Sequence, residues 1–165
     1  MGSKLLVAVN RCGPSTTLTR VTADLPVVRL VDLRETALDV TEVLDAVDDR
    51  SVGGIDVFVG TVRDHDHDQG VTGLEYSAHP TALARLQEVA AGVAERYDVL
   101  ALAAVHRVGW LEVGDVAVIV ATATVHRSEA FEASRALIDE LKETVPIWKH
   151  QLFTDGTEEW VGTPA

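Results

Sequence analysis

Apolar positions along this 165-residue chain recur with two different periods. VVRLVDL (27–33), IDVFVGTVR (55–63), VTGLEYSA (71–78), VLALAAVHRVG (99–109), VAVIVATATV (116–125) and IWKHQLF (147–153) are rich in branched residues or alternate, as strands do. In 55–63, Val57, Val59 and Thr61 alternate with Phe58, Gly60 and Val62, so both faces of that strand are largely covered. Gly60 within it marks a bulge or the close approach of a ligand or another backbone. Leu83, Leu86, Ala90, Val93 and Tyr97 recur every three or four residues and predict an amphipathic helix over 80–97, with Pro80 as its first residue. Ala130, Phe131, Ser134, Leu137, Ile138 and Leu141 predict a second over about 128–144, ended by Pro146. A shorter helix follows Asp39 or Thr41, either of which can cap it, and presents Val43, Leu44 and Val47.

Turn signals connect these elements. Gly53-Gly54 leads into 55–63, and DHDHDQG (64–70) is a polar loop that joins 55–63 to 71–78 as a hairpin. WLEVGD (110–115) reads as a turn, Asp155-Gly156 as another, and 159–161 as a last short strand. KLLVAV (4–9) predicts a strand that Gly13 to Thr17 break, leaving 10–26 as a mobile arm. The organisation is therefore an N-terminal arm over 1–26 and one domain over 27–165. Strands with short connections and two main helices predict an α+β fold with a mostly antiparallel or mixed sheet.

The formal net charge of −12 argues against nucleic acid or an anionic membrane as partner, since both require a basic face. It does not exclude a small anion, which feels the local field. Cys12 is the only cysteine, so no disulfide forms within the chain, which fits a cytoplasmic setting. No apolar run approaches the roughly 20 residues of a membrane helix, and the first fifteen residues lack the pattern of a signal peptide.

Against that acidic background, residues 126–151 gather cations at element ends. Lys142 lies on the last turn of the second helix, at the edge of its apolar face. It is either a snorkelling lysine that favours the negative helix end or a partly desolvated amine able to move a proton. Lys149 follows Trp148 in a strand, so the two face opposite sides; an inward Trp148 and a solvated Lys149 is the plain reading. Two lysines seven residues apart across a helix–strand corner can nonetheless approach one another, which would depress the pKa of both. His126 and Arg127 stand at a helix start, where backbone amides attract anions; Arg127 could equally pair with a carboxylate such as Glu129. Arg63 closes a strand and has Asp64 and Asp66 as ion-pair candidates, while His106-Arg107 reads as structural. The Asp64 to Asp68 run is metal-friendly but sits in a hairpin loop, away from further ligands. GxGxxG, Walker A and GxSxG patterns are absent.

FVGTVRDHDHDQGVTGLEY (58–76), VHRVGWLEVGD (105–115), TVHRSEAFEA (124–133) and IDELKETVPIWKHQLFTDGTEEWV (138–161) together resemble the large, catalytic subunit of molybdopterin synthase, over about 27–161. The resemblance implies an α/β-hammerhead-like fold and a sulfurtransferase. Such an enzyme converts cyclic pyranopterin monophosphate into molybdopterin by installing a dithiolene. The sulfur arrives as a thiocarboxylate on the C-terminal Gly-Gly of a small ubiquitin-like partner, and two large subunits form a dimer with one small subunit at each end. A chain without a placed thiol suits that division of labour. By resemblance Lys142 and Lys149 are catalytic. Arg63 with the backbone of Thr61 and Val62, His126 and Arg127 from the neighbouring large subunit, and His150 and Gln151 bind substrate. No metal ligand and no resident cofactor are implied.

Departures at four positions accompany the resemblance. His150 stands where Lys or Arg is usual, and Gln151 where Glu is usual, which removes a possible acidic partner for a lysine. Ser77 and His79 replace a more usual Glu and Tyr. The alternatives are a non-catalytic anion-binding or assembly homologue of the same fold, and a metal phosphohydrolase using 64–68.

Overall fold

The computed structural model describes residues 26–162; the strand expected over 4–9 and nearly all of the expected arm lie outside them. Nine strands and three helices follow in the order β1 (Val28–Arg34), α1 (Val40–Val47), β2 (Gly54–Thr61), β3 (His65–Asp66), β4 (Gln69–Ala78), α2 (Ala82–Arg96), β5 (Val99–Arg107), β6 (Gly109–Glu112), β7 (Val116–Thr124), α3 (Arg127–Thr144), β8 (Ile147–Phe153) and β9 (Glu158–Gly162). The architecture is α+β. Among the described residues no helix is long and apolar enough to cross a membrane.

The first sheet has the order β1-β5-β7-β2, with β1 parallel to β5 and the other pairs antiparallel. Both faces of its centre are covered, which is why β5 and β7 are almost continuously apolar. Ala101, Ala103, Val105 and Ile119 pack on Val43 and Val47 of α1. The alternate positions, Leu102, Ala104, Val118 and Val120, pack under Leu86 and Val93 of α2 and Leu137 and Leu141 of α3. Each large aliphatic side chain buried there contributes about 1.5–3 kcal/mol. Asp39, not Thr41, caps α1, accepting from the Thr41 amide at 2.8 Å. α2 begins at Ala82, two residues after Pro80. On α3 the buried stripe is Ala130, Ala133, Ser134, Leu137, Ile138 and Leu141. Phe131 is not part of it: at ~100° per residue it sits on the flank, and it is 58% exposed.

The second sheet is antiparallel and centred on β4, which pairs with β8 along its length and with β3 and β6; β9 extends β8. This corrects the hairpin expected between 55–63 and 71–78. β2 pairs with β7, and the chain crosses between sheets at Val62, whose N–H donates to Asp115 O at 2.9 Å while its carbonyl accepts from the Gly114 amide at 2.9 Å. The loop 64–70 does make a hairpin, but of β3 with the start of β4. Its two central residues, His67 and Asp68, both have positive φ (46° and 67°), as a two-residue turn of type I′ requires. WLEVGD is likewise more than a turn, because Gly109–Glu112 is the strand β6. Val62, Leu74, Leu111 and Ala117 form a small core where the two sheets meet.

Candidate active site

The two sheets and the C-terminal end of α3 enclose a cleft of about 580 Å3, within the usual range for a small-molecule site. β2 contributes Gly60 and Thr61, β5 His106, α3 Lys142 and β8 Lys149. A smaller lobe of about 190 Å3 adjoins it, bounded by Arg63, Asp66 and Gln151 and sharing Thr61, Tyr76, Lys142 and Lys149 with the main cleft.

Local sequence explains each placement. The β2–β7 ladder slips at Gly60/Thr61, a bulge at the cleft wall. A Cβ on Gly60 would lie 2.7 Å from Val118 Cγ1, so glycine is required by that close approach. Lys142 stands on the last turn of α3, its ammonium 5.8 Å from the centre of the Phe58 ring, within cation–π range. Across β4 and β8, Tyr76 faces Lys149 and Leu74 faces Gln151, so these four side chains share one face of the sheet.

Lys149 is 21% exposed at its side chain, so it is not the solvated lysine of the plain reading. Its ammonium donates to Gln151 Oε1 at 2.9 Å and to Asp66 Oδ2 at 3.3 Å. Gln151 Nε2 donates to the same Asp66 oxygen at 3.1 Å, and Arg63 donates to Asp66 Oδ1 at 3.1 Å. The hydrogen bond from Gln151, reinforced by the Lys149 ammonium, holds the Asp66 carboxyl below its usual range against the effect of partial burial. The Arg63 ion pair therefore forms with Asp66, one of its two candidates.

His106 lies at the end of β5 on the face that α3 covers. Its Nδ1 lies 2.7 Å from the Arg107 carbonyl oxygen, which can only accept, so in the neutral ring Nδ1 carries the hydrogen and Nε2 is the acceptor. Burial first, and the charge of Lys142 second, bring its pKa down to about 4. Arg107 bonds Asp115 at 2.9 Å and is structural. Tyr76 stands edge-on to His106, and burial pushes its phenol upward. Among the described residues no group of three or more His, Cys, Asp or Glu side chains is arranged to hold a metal ion. In the 64–68 run, Asp66 turns toward Lys149 and Arg63, while His65 bonds its neighbour Asp64.

Residues 33–144 match the family model described as "MoaE protein". A Mycobacterium tuberculosis protein named molybdopterin synthase catalytic subunit 1 is 42% identical over 131 residues, covering 79% of this chain and 88% of that one. This chain belongs to the MoaE family, the catalytic subunits of molybdopterin synthase. The crystal structure of molybdopterin synthase from Staphylococcus aureus superposes with a TM-score of 0.75 at 29% identity, covering 80% of this chain and 96% of that chain. A Helicobacter pylori structure, a protein–protein complex of subunits 1 and 2 of molybdopterin-converting factor, shares the fold: TM-score 0.60 at 22% identity over 83% of this chain and 90% of that chain.

Of the residues expected at a MoaE site, Thr61, Val62, Arg63, Lys142, Lys149 and Gln151 line the two lobes. Val62 does so with its N–H already engaged by Asp115, so that amide is not open to a substrate. The expectation that His150 lines the pocket fails. Strand alternation turns it to the opposite face, where it stacks on Trp160 with centroids 4.3 Å apart and bonds Glu158 at 2.9 Å. His126 and Arg127 stand at the other end of α3, about 24 Å from Lys142 along the helix axis at 1.5 Å per residue. Sequence reasoning offered Asp66 only as an ion-pair candidate for Arg63 and as part of a metal-friendly run, read His106 as structural, and passed over Tyr76. His106 carried a signal of its placement, since it continues the every-other-residue series of Leu102 and Ala104.

Proposed function

We propose that this chain installs the dithiolene of molybdopterin on cyclic pyranopterin monophosphate, taking one sulfur from the C-terminal thiocarboxylate of each of two successive molecules of a small ubiquitin-like partner, each of which leaves as a carboxylate. The observation that carries this is the meeting of Lys142, Lys149 and Arg63 around one two-lobed cleft. Both reactants are anions, a thiocarboxylate and a phosphorylated pterin, and bringing them together needs fixed positive charge in a water-poor site. In this reading Lys142 and Lys149 stabilise anionic intermediates and deliver a proton to the oxygen that leaves as water. Arg63 and the bulged backbone at Thr61 hold the substrate, with Gln151 orienting Lys149.

A second copy of the chain completes the site with His126 and Arg127. Their distance from Lys142 within one chain supports this, as do the exposed Val125 and Phe131 beside them. The two-subunit Helicobacter pylori complex accords with a separate sulfur carrier. A cytoplasmic setting and a single domain over 27–165 accord with the lone Cys12 and with the extent of the family match.

The test is single-turnover sulfur transfer with purified thiocarboxylated partner and the pterin precursor. Lys142→Ala and Lys149→Ala are each expected to slow product formation by about 100-fold or more. An undiminished rate in Lys142→Ala overturns the assignment.

A further inference from the structure

The least expected group at the cleft is a carboxylate. Asp66 reaches it from the β3–β4 hairpin, and its side chain is 13% exposed. One oxygen takes the Arg63 guanidinium at 3.1 Å; the other takes the Lys149 ammonium at 3.3 Å and the Gln151 amide at 3.1 Å. Lys149 also donates to Gln151 Oε1 at 2.9 Å, so Lys149, Gln151 and Asp66 close a ring of three hydrogen bonds.

That ring specifies its members. An ammonium only donates and a carboxylate only accepts, so the residue bridging them must accept with one atom and donate with the other. The amide of Gln151 does both, and it is 3% exposed, so neither end has water as a substitute. A carboxylate at 151 would set two acidic oxygens about 3 Å apart, and one of them would have to hold a proton. Position 66 carries the charge and position 151 carries the amide; exchanging the two groups would keep two of the ring's bonds, Lys149 to the carboxylate and the amide to the carboxylate, and an amide oxygen for Arg63, with the charge on the other strand.

We propose that Asp66 is a positioning residue of this site: its carboxylate fixes the Lys149 ammonium and the Arg63 guanidinium relative to each other, and Gln151 is matched to it as the neutral relay. The inference rests on the sulfur-transfer reading for its assay, but it concerns which residue bears the negative charge between Lys149 and Arg63. Asp66 touches no reacting atom. It acts through the two cations, so its loss lowers kcat more than it raises KM for the pterin.

Four proteins test it: the wild type, Asp66→Asn, Gln151→Glu and the double exchange Asp66→Asn/Gln151→Glu. Each is assayed for kcat, KM and the pH dependence of kcat with the thiocarboxylated partner and the pterin precursor. Asp66→Asn is expected to lose about 10- to 100-fold in kcat, the cost of a cation displaced by about 1 Å. Gln151→Glu is expected to shift the acid limb of the pH profile upward, as the paired carboxyls share a proton. The double exchange is expected to return kcat to within a fewfold of the wild type.

A wild type that turns over beside an equally active Asp66→Asn with an unmoved pH profile overturns the proposal. So does a double exchange no better than the singles, since a merely structural hairpin contact would not be restored by moving the charge to β8. Should Asp66→Asn not fold, Gln151→Glu decides alone: an unshifted profile rejects the matched pair. A wild type that transfers no sulfur under conditions where the Staphylococcus aureus synthase does refutes the sulfur-transfer reading instead.

Discussion

Tyr76 stands edge-on to the imidazole of His106, ring centroids 4.9 Å apart and planes at 89°. The pair joins the second sheet to the first at the floor of the cleft, and it leaves His106 with one hydrogen-bond partner on its Nδ1 side and a positive neighbour in Lys142. A buried imidazole so placed resists protonation.

Stability should therefore depend on pH in part through this ring. The folded-state pKa of about 4 lies below the ordinary 6.5, so the unfolded chain binds the proton more tightly. The contribution is complete above pH 6.5, shrinks as pH falls from there toward 4, and levels off below. The loss approaches roughly 3 kcal/mol at ~1.4 kcal/mol per pH unit. Urea titrations at pH 7 and pH 4.5 should show His106→Gln losing less stability than the wild type over that interval. Parallel losses in the two proteins would rule the imidazole out as the cause.

Gly53→Ala should unfold at a lower temperature. A Cβ there would lie 2.1 Å from the Val125 carbonyl oxygen, a backbone atom with nowhere to retreat. Relieving that overlap separates the start of β2 from the start of α3, at a cost of about 1–3 kcal/mol. Thermal melts compared with Gly156→Ala, whose Cβ meets nothing within 4 Å, distinguish crowding from positive-φ strain.

His150→Ala should keep sulfur-transfer turnover within about threefold of the wild type, since its ring lies on the far face of β8 against Trp160. Lys149→Ala, one residue earlier, should abolish it. A collapse of turnover in His150→Ala would place the reaction on the wrong side of the sheet.

If His126 and Arg127 serve the cleft of a second chain, Arg127→Ala and Lys149→Ala should each be inactive alone yet complement when mixed. In a mixed dimer one cleft receives both defects and the other neither, so about half of the wild-type activity per dimer should return. Mixing that recovers nothing would mean that both residues act within one chain.

Much of this was legible along the chain. Branched runs located the longer strands, and three-and-four spacing located α2 and α3. Pairing was less so. β2 finds β7 and β4 finds β8, partners more than 50 residues away, and no local turn residue encodes that choice. β6 was hidden because a four-residue strand that opens on Gly109 and is soon followed by Gly114, both at positive φ, looks like a turn until β4 lies beside it.

The site divides the same way. Alternation in IWKHQLF already separates Lys149 and Gln151 from His150, whereas the family resemblance carries all three positions over together. Asp66 was invisible as a partner of Lys149, because the two meet only after β4 has paired with β8 and the hairpin has folded back.

The His67–Asp68 turn has no slack: Asp66 pairs with Gln69, and only two residues lie between. One additional amino acid there would rotate the preceding strand by half a pleat and aim the Asp66 side chain outward. Loop length is thus a control on reactivity in its own right. A sequence could keep every cleft side chain and still be disabled by an insertion at a surface tip.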